Sequence, residues 1–202
     1  MIEEHSLSEN WKNGDVSEKQ LELNLRELSS PDSYPSHWNF FLRFMTRCKY
    51  AKMLDIGCGV GAYAKLIKDN GIETEYTGID YSEYAIQKAK EQWGTGNFIC
   101  MDYRGLTPDF IRDFDLVHLG ALLDVLPNGN EALDFILSLG AKEVLISRIE
   151  TTKEVSHYKT YYAYDIIETY SYRHNPMELI NCFEKNGYDF EFEGANIILK
   201  KI

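Results

Sequence analysis

The sequence lacks the segments that mark secreted, membrane and metal-binding proteins. It begins Met-Ile-Glu-Glu-His, without the basic start and apolar run of a signal peptide, and it nowhere has the roughly 18 consecutive apolar residues of a membrane helix. The four cysteines, Cys48, Cys58, Cys100 and Cys182, form no Cys-x-x-Cys pair, which argues against a zinc site and a disulfide framework. We therefore expect a cytoplasmic protein with reduced thiols, no metal and no membrane attachment.

Positive charge is also scarce. The 202 residues include 21 Lys and Arg against 32 Asp and Glu, so the formal net charge is −11. This charge opposes attachment to phosphate backbones and anionic membranes, and it disfavours nucleic acid as a partner. The length suits one domain, and an apolar content of 44% with 13% aromatic residues is enough for one substantial core.

What the sequence does contain is a glycine loop after a short apolar strand. Residues 53–61 read Met-Leu-Asp-Ile-Gly-Cys-Gly-Val-Gly, and a helical pattern follows from Ala62. Glycine allows positive φ and close backbone approach to a ligand, so the loop is predicted to bind a cofactor. No Gly-Lys-Ser/Thr follows, which excludes a Walker loop, but Gly57, Gly59 and Ala62 fit a loose dinucleotide fingerprint. The carboxylate of Asp55 instead favours a cationic ligand.

Strand and helix patterns alternate after the loop. This alternation predicts a parallel sheet with helices on both faces. At the C terminus, segments 189–193 and 196–200 are joined only by Gly194-Ala195, which forces an antiparallel hairpin. Five strands are predicted before this hairpin. The first ends at Asp55, and the other four span 75–79, 97–100, 115–119 and 143–147.

Residues 1–48 and 148–175 lie outside this alternation and are candidates for acceptor binding. Residues 1–33 are polar and acidic, with one amphipathic stretch from Ser17 to Leu28, and we interpret them as an arm outside the core. Helical spacing predicts a helix from Pro35 to Cys48 that packs on the domain just before its first strand, and this helix is a candidate substrate cover. Residues 148–175 form a long stretch without a strong period, which is more often functional than idle.

The segment 148–175 is rich in tyrosine. Aromatic rings with hydroxyl tips suit a sugar or another polyhydroxy or aromatic acceptor, although the same side chains could pack a lid or a dimer contact. The tyrosines are Tyr158, Tyr161, Tyr162, Tyr164, Tyr170 and Tyr172.

The residues from Leu54 to Gly61 resemble the first motif of the class I S-adenosylmethionine-dependent methyltransferases. The resemblance extends from about Ala51 to Ile202, because a parallel sheet closed by an antiparallel hairpin is similar to that family's fold. It implies an α/β, Rossmann-like, seven-stranded and mostly parallel sheet with helices on both faces, and S-adenosylmethionine as cofactor. We divide the chain into a helical arm, 1–48, and a methyltransferase domain, 49–202, with a substrate-facing insertion at 148–175.

The predicted cofactor residues follow from spacing and from this resemblance. Asp80 ends the second strand 80 − 61 = 19 residues after Gly61, where a Rossmann-like unit places the acid that binds a ribose diol. Capping the next helix is its alternative role. The resemblance implies that Tyr81 stacks on adenine, that Asp102 and Tyr103 contact the adenine ring, and that backbone carbonyls meet the ammonium. The full set is Asp55, Gly57, Cys58, Gly59, Gly61, Asp80, Tyr81, Asp102, Tyr103, Leu119 and Gly120.

Catalytic residues are less clearly marked. Residues 114–127 resemble the family's fourth motif, in which Asp124 keeps the acid but Val125 replaces the usual histidine. The candidates for proton removal are His118, His157 and Tyr158. A buried core role is the alternative for His118.

The sequence predicts methyl transfer to an oxygen or nitrogen of a small acceptor such as a sugar, polyhydroxy or aromatic metabolite, mainly by alignment in a closed site. One alternative is a non-catalytic S-adenosylmethionine-binding module, which Val125 supports. An NAD-dependent oxidoreductase is another, which Asp55 and the terminal hairpin disfavour. Base-methylating motifs, Asn/Asp-Pro-Pro-Tyr/Phe or Pro-Cys, do not follow the fourth strand. A homodimer is left open, and no motif names the acceptor.

Overall fold

A computed structural model describes residues 6–202, so the first five residues of the predicted arm lie outside the described residues. No helix in the described part is long and apolar enough to cross a membrane. The α-helices are α1 Ser6–Glu9, α2 Gly14–Leu28, α3 Ser36–Cys48, α4 Ala62–Asp69, α5 Glu83–Trp93, α6 Pro108–Arg112, α7 Gly129–Ser138 and α8 Pro176–Lys185. The strands are β1 Lys52–Ile56, β2 Glu75–Asp80, β3 Asn97–Cys100, β4 Leu116–Gly120, β5 Glu143–Ser147, β6 His157–Ala163, β7 Ile167–Arg173, β8 Tyr188–Glu193 and β9 Asn196–Lys201. Short 3-10 helices span Asn10–Lys12, Pro31–Ser33, Tyr103–Gly105 and Leu123–Val125.

Seven strands form one sheet in the order β3-β2-β1-β4-β5-β9-β8. The first five pair in parallel, while β9 is antiparallel to both β5 and β8. This confirms the predicted mostly parallel sheet and its C-terminal antiparallel hairpin. The ligand-binding edge of such a sheet lies at the carboxyl ends of the central strands, where the order reverses between β1 and β4.

Helices cover both faces of the sheet. Side chains alternate along a strand, so neighbouring residues of β1 enter different halves of the core. Met53 packs in the half formed with α3, α4 and α5, whereas Leu54 and Ile56 pack in the half formed with α6, α7 and α8. The same alternation places Asp55 on the face that carries α3 and α4.

The first 33 residues are not simply an arm outside the core, and that expectation was wrong for α2. Val16 is 1% exposed and Leu21 is 8% exposed. Leu21 joins the main core, while Val16 packs with Ala163 and Ile167 of the β6–β7 hairpin. The helix α2 has few apolar residues, but they lie on one face. The rest of the protein covers that face, so these residues are buried.

The segment without a strong period contains a separate antiparallel hairpin of β6 and β7. At its turn, Tyr164 and Asp165 have φ values of 55° and 59°, and the N–H of Ile166 donates to the carbonyl of Ala163 at 3.0 Å. Residues 158–162 of β6 are all exposed. The absence of a buried face explains why this strand shows no apolar alternation in the sequence.

Candidate functional site

A cavity of about 970 Å³ opens at the carboxyl ends of the central strands. Ligands of open α/β sheets bind at this edge. Seven of the eleven predicted cofactor residues line it, namely Gly57, Gly59, Asp80, Tyr81, Asp102, Tyr103 and Gly120.

Asp80 connects the glycine loop to the end of β2. Its Oδ2 accepts from the N–H of Gly59 and its Oδ1 accepts from the N–H of Ser82, both at 2.9 Å. Ser82 itself caps α5 by accepting from the N–H of Ala85 at 3.3 Å. Burial raises the pKa of Asp80 to about 6. A carboxylate has about four acceptor sites, so the side chain can still accept a hydrogen bond from a diol in the cavity.

Asp55 does not line the cavity, although the sequence suggested that its charge faces the ligand. Its Oδ2 accepts from the hydroxyl of Tyr76 at 2.7 Å, and its Oδ1 lies 2.8 Å from Nδ1 of His118. The carboxylate is 1% exposed. In this arrangement Asp55 supports the loop from below, and its influence on a ligand is indirect.

His118 lies in the same buried network. Its Nε2 is 3.1 Å from Oγ of Ser147, so Asp55, His118 and Ser147 are linked in the order of a serine-hydrolase triad. An ionised carboxylate only accepts, so it holds the imidazole proton on Nδ1 and leaves Nε2 to accept from the Ser147 hydroxyl. All three side chains are at most 1% exposed. They therefore cannot contact a substrate, and the network is structural as it stands.

The imidazole lies beneath a glycine of the cavity floor. A Cβ placed on Gly120 would come within 2.9 Å of both Cε1 of His118 and Cε2 of Tyr63. Gly120 thus keeps a thin floor above a layer of aromatic rings. This layer separates the imidazole from a ligand in the cavity. The geometry therefore does not favour His118 as the base that removes a proton from the acceptor.

His157 and Tyr158 are also outside the cavity lining. His157 Nδ1 lies 2.9 Å from the carbonyl of Val155, and Tyr158 is 40% exposed with its ring against Tyr170. On the same strand, Tyr161 does line the cavity. The hairpin therefore contributes Tyr161 to the site, and it does not contribute His157 or Tyr158, the two residues that were predicted to be catalytic.

Val125 lines the cavity at the position where the resembling family has a histidine. The preceding Asp124 does not line it. Its Oδ1 accepts from the N–H of Glu150 at 3.3 Å and lies 3.6 Å from Nε2 of the buried His174. The acid of this motif thus helps hold the segments around the hairpin together.

Asp102 and Tyr81 each have a partner near the cavity. The guanidinium of Arg104 contacts both carboxylate oxygens of Asp102, through Nε at 2.9 Å and through Nη2, and holds the pKa of that carboxyl below its usual range. The hydroxyl of Tyr81 donates to the carbonyl of Ser8, and Nζ of Lys12 lies 5.2 Å from the centre of its ring. Tyr81 is therefore tied to the N-terminal segment.

The remaining predicted cofactor residues are packed behind the cavity. Gly61 has a φ of 80°, and a Cβ there would lie 2.7 Å from Cε1 of Phe98, so this glycine permits close packing. The side chains of Cys58 and Leu119 are buried. Their predicted contacts with a ligand are not visible in the geometry.

The cavity is roofed by the N-terminal segment and the hairpin, which contact each other. Nε1 of Trp11 donates to Oγ1 of Thr169 at 2.8 Å, and Nδ2 of Asn10 donates to the carbonyl of Glu168 at 2.8 Å. Further along, the amide of Gln20 lies next to Gly59, where it would be 2.7 Å from an added Cβ. The roof therefore reaches from the hairpin to the glycine loop.

Several residues of the cavity were not singled out by sequence reasoning, among them Trp11, Gln20 and Arg148. Arg148 directly follows β5, and its position at the carboxyl end of a parallel strand could have indicated it. Trp11 and Gln20 carry no such signal, because their place depends on how the N-terminal segment folds back. Within residues 6–202, no three His, Cys, Asp or Glu side chains cluster as metal ligands.

Comparisons with known proteins agree with this geometry. Residues 53–139 match a family model described as a methyltransferase domain. The fold is similar to human N-acetylserotonin methyltransferase in complex with S-adenosylmethionine, with 17% identity and a TM-score of 0.68 over 99% of this chain and 60% of that chain. It is also similar to DesVI of Streptomyces venezuelae, with 13% identity and a TM-score of 0.61 over 89% of this chain and 97% of that chain.

A third similar structure is the plantazolicin methyltransferase BpumL in complex with a pentazolic desmethylPZN analogue and S-adenosylhomocysteine. It has 25% identity and a TM-score of 0.50 over 69% of this chain and 55% of that chain. The domain match covers the glycine loop, β2 with Asp80, and the strands up to α7. These findings favour a methyltransferase over the nicotinamide-dependent alternative. The chain thus contains a segment, residues 53–139, that matches a methyltransferase domain, and its seven-stranded fold is similar to that of S-adenosylmethionine-dependent methyltransferases.

Proposed function

We propose that the protein transfers the methyl group to an oxygen or nitrogen of a small-molecule acceptor. The observation that carries this proposal is that one cavity is lined both by the glycine loop and by aromatic residues of the roof, Trp11, Tyr161 and Tyr164. A roofed, partly apolar cavity suits a small ligand better than a macromolecule.

The lining residues fit the cofactor. Gly57 and Gly59 offer backbone without side chains, and Asp80 offers carboxylate oxygens for a ribose diol. We propose that Tyr81 and the segment Asp102–Tyr103 bind the adenine ring. S-adenosylmethionine supplies an electrophilic methyl group when it is bound. Asp55, Cys58, Gly61 and Leu119 would act by holding this lining in place.

The arm and the insertion are proposed to recognise the acceptor. Val16 and Leu23 of α2 line the cavity together with Tyr161 and Ala163 of the hairpin. These segments belong to residues 1–48 and 148–175, which the sequence divided from the rest of the domain. A bound acceptor would be enclosed between them.

Catalysis is proposed to rest on alignment. No histidine of the described residues lines the cavity. Partial removal from water at the cavity wall raises the pKa of Tyr161 and of Tyr164, so both phenols keep their protons at neutral pH and are poor bases. Holding the acceptor in line with the reacting bond can by itself contribute most of a rate enhancement.

Calorimetric titration with S-adenosylmethionine and S-adenosylhomocysteine tests the cofactor part of the proposal. We expect both to bind, and we expect Asp80→Ala to weaken binding by roughly 10- to 100-fold, as the loss of one or two charge-assisted hydrogen bonds implies. Asp109→Ala is the matched control, because this carboxylate is 89% exposed and outside the cavity. No binding of either ligand to the wild type would refute the proposal.

Turnover tests the acceptor part. The protein is incubated with S-adenosylmethionine and a panel of phenols, catechols, amines and sugars, and released S-adenosylhomocysteine is measured. We expect turnover with at least one small acceptor. Cofactor binding without turnover across the panel would favour the non-catalytic binding module.

Location and assembly stay predictions from the sequence. The predictions are a cytoplasmic location and a small-molecule acceptor, with neither nucleic acid nor a membrane as partner. Sedimentation velocity of the purified protein would distinguish a monomer from the homodimer that the exposed hairpin tyrosines could support.

A further inference from the structure

Arg148 brings uncompensated positive charge to the cavity. Two arginines line it, Arg104 and Arg148. The guanidinium of Arg104 is occupied by the carboxylate of Asp102. Arg148 has no ion pair or side-chain hydrogen bond with any residue in the range 6–202 that the structure describes. A charged guanidinium without a protein partner is available to bind a ligand.

The backbone holds Arg148 in a conformation that side chains disfavour. Its φ is 63°, in the left-handed region, and Ala121 at the end of the neighbouring β4 has a φ of 67°. The N–H of Ala121 donates to the carbonyl of Ser147 at 3.1 Å, and the N–H of Ile149 donates to the carbonyl of Ala195 at 2.8 Å. The residues on both sides of Arg148 are thus fixed. Backbone strain of this kind concentrates at ligand sites.

Aromatic side chains form walls of the same cavity. Tyr161 and Tyr164 line the cavity, and the positive charge of Arg148 partly offsets the rise that burial causes in the pKa of both phenols. The guanidinium and both rings thus share one cavity. Trp11 packs edge-on against Tyr164, with the ring centres 6.3 Å apart.

The surroundings are otherwise acidic. Glu9, Asp80, Asp102 and Glu131 line the same cavity, and the whole chain has a net charge of −11. An anionic ligand would be repelled from such a cavity unless a specific cation received it. The planar guanidinium binds carboxylate and phosphate oxygens in a bidentate way, which makes arginine suited to this task.

We propose that the methyl acceptor is an aromatic molecule with a carboxylate or phosphate group, and that Arg148 binds this group while the aromatic walls contact the ring. This inference rests on the proposed function and specifies its substrate class. Arg148 would then determine specificity, and it would leave the cofactor part of the cavity unaffected.

The experiment compares three probes on protein saturated with S-adenosylhomocysteine. Benzoate and phenyl phosphate carry the two anionic groups, and benzamide is their neutral counterpart. Affinities are measured by calorimetry for the wild type, Arg148→Gln, Arg148→Lys and Arg112→Gln. Arg112 is 73% exposed, lies outside the cavity and gives the same change in net charge.

We expect at least one anion to bind more than tenfold more tightly than benzamide. This should hold both for the wild type and for Arg112→Gln. This preference should fall below threefold in Arg148→Gln, and Arg148→Lys should keep part of it, because lysine retains the charge without the fork. Whichever anion is preferred distinguishes a carboxylate acceptor from a phosphate acceptor.

Three results would overturn the inference. One is that benzamide binds the wild type as well as both anions do, or that no probe binds. Another is that the preference persists in Arg148→Gln. The third is that Arg148→Gln weakens S-adenosylhomocysteine itself tenfold or more, which would assign the guanidinium to the carboxylate of the cofactor. Failure of the wild type to bind S-adenosylhomocysteine is measured before any probe is added, so it refutes the proposed function separately.

Discussion

Nδ1 of His118 lies 2.8 Å from Oδ1 of Asp55, and both side chains are almost completely buried. The sequence suggested Asp55 as a ligand for positive charge and His118 as a general base. The structure pairs them with each other beneath the cavity, on the sheet face covered by α3 and α4. The charge of Asp55 is thereby used to hold the strands that carry the glycine loop.

Removing the imidazole should destabilise the protein strongly. His118→Ala leaves the carboxylate of Asp55 buried without one of its two partners, and losing a buried hydrogen bond to a charged group costs about 1.5–3 kcal/mol of unfolding free energy. Urea denaturation measures the change. The control is His157→Ala, which removes a half-buried side chain and should change the free energy by less than about 0.5 kcal/mol. Equal effects of the two substitutions would contradict a supporting role for His118.

Gly61 should tolerate a side chain far less well than another glycine with similar backbone geometry. Gly61→Ala places a Cβ 2.7 Å from the buried ring of Phe98, whereas Gly71, with a φ of 61°, has no atom within 4 Å of an added Cβ. Both variants bear the left-handed backbone cost of about 1–2 kcal/mol. Overpacking should add about 1–3 kcal/mol in Gly61→Ala alone. Thermal unfolding of both proteins measures the difference, and similar melting temperatures would refute the packing role.

Cofactor binding should weaken in mild acid. The pKa of Asp80 is about 6, and its ionised form is the one that accepts hydrogen bonds from a diol. Because protonation removes an acceptor, the association constant for S-adenosylhomocysteine should be constant above about pH 7 and fall by up to about tenfold per pH unit below pH 6. Calorimetry across this range measures it. Asp80→Asn should bind weakly with a flat profile over the same range, and a flat profile in the wild type would contradict the role of Asp80.

The contact between the N-terminal segment and the hairpin should control opening of the roof. Trp11→Phe keeps an aromatic ring but removes the N–H that donates to Thr169. We expect faster hydrogen exchange in residues 6–28 and in β7, because the opening free energy should fall by about 0.5–1.5 kcal/mol. Thr169→Val removes the other partner and should have a similar effect. The double variant should add little, and fully additive effects would show that the bond does not couple the segments.

The main strands could be predicted because their signals are local. The fourth strand was expected at 115–119 and lies at Leu116–Gly120, and the terminal hairpin followed from the two-residue link Gly194-Ala195. The strand β6 could not be predicted in this way. Residues 158–162 are all exposed, so no alternation of buried side chains marks them, and their partner strand defines the hairpin.

The sequence alone determined the strands of the main sheet, the glycine loop and the position of Asp80, because periodicity, turns and helix starts are each contained within a few neighbouring residues. The tertiary structure decided which distant side chains meet. Asp55 and His118 are 63 positions apart, and Trp11 and Thr169 are 158 apart. Their contacts depend on strand register and on the folding back of the N-terminal segment. For that reason the roof of the cavity, and the free guanidinium of Arg148 within it, emerge only when the chain is folded.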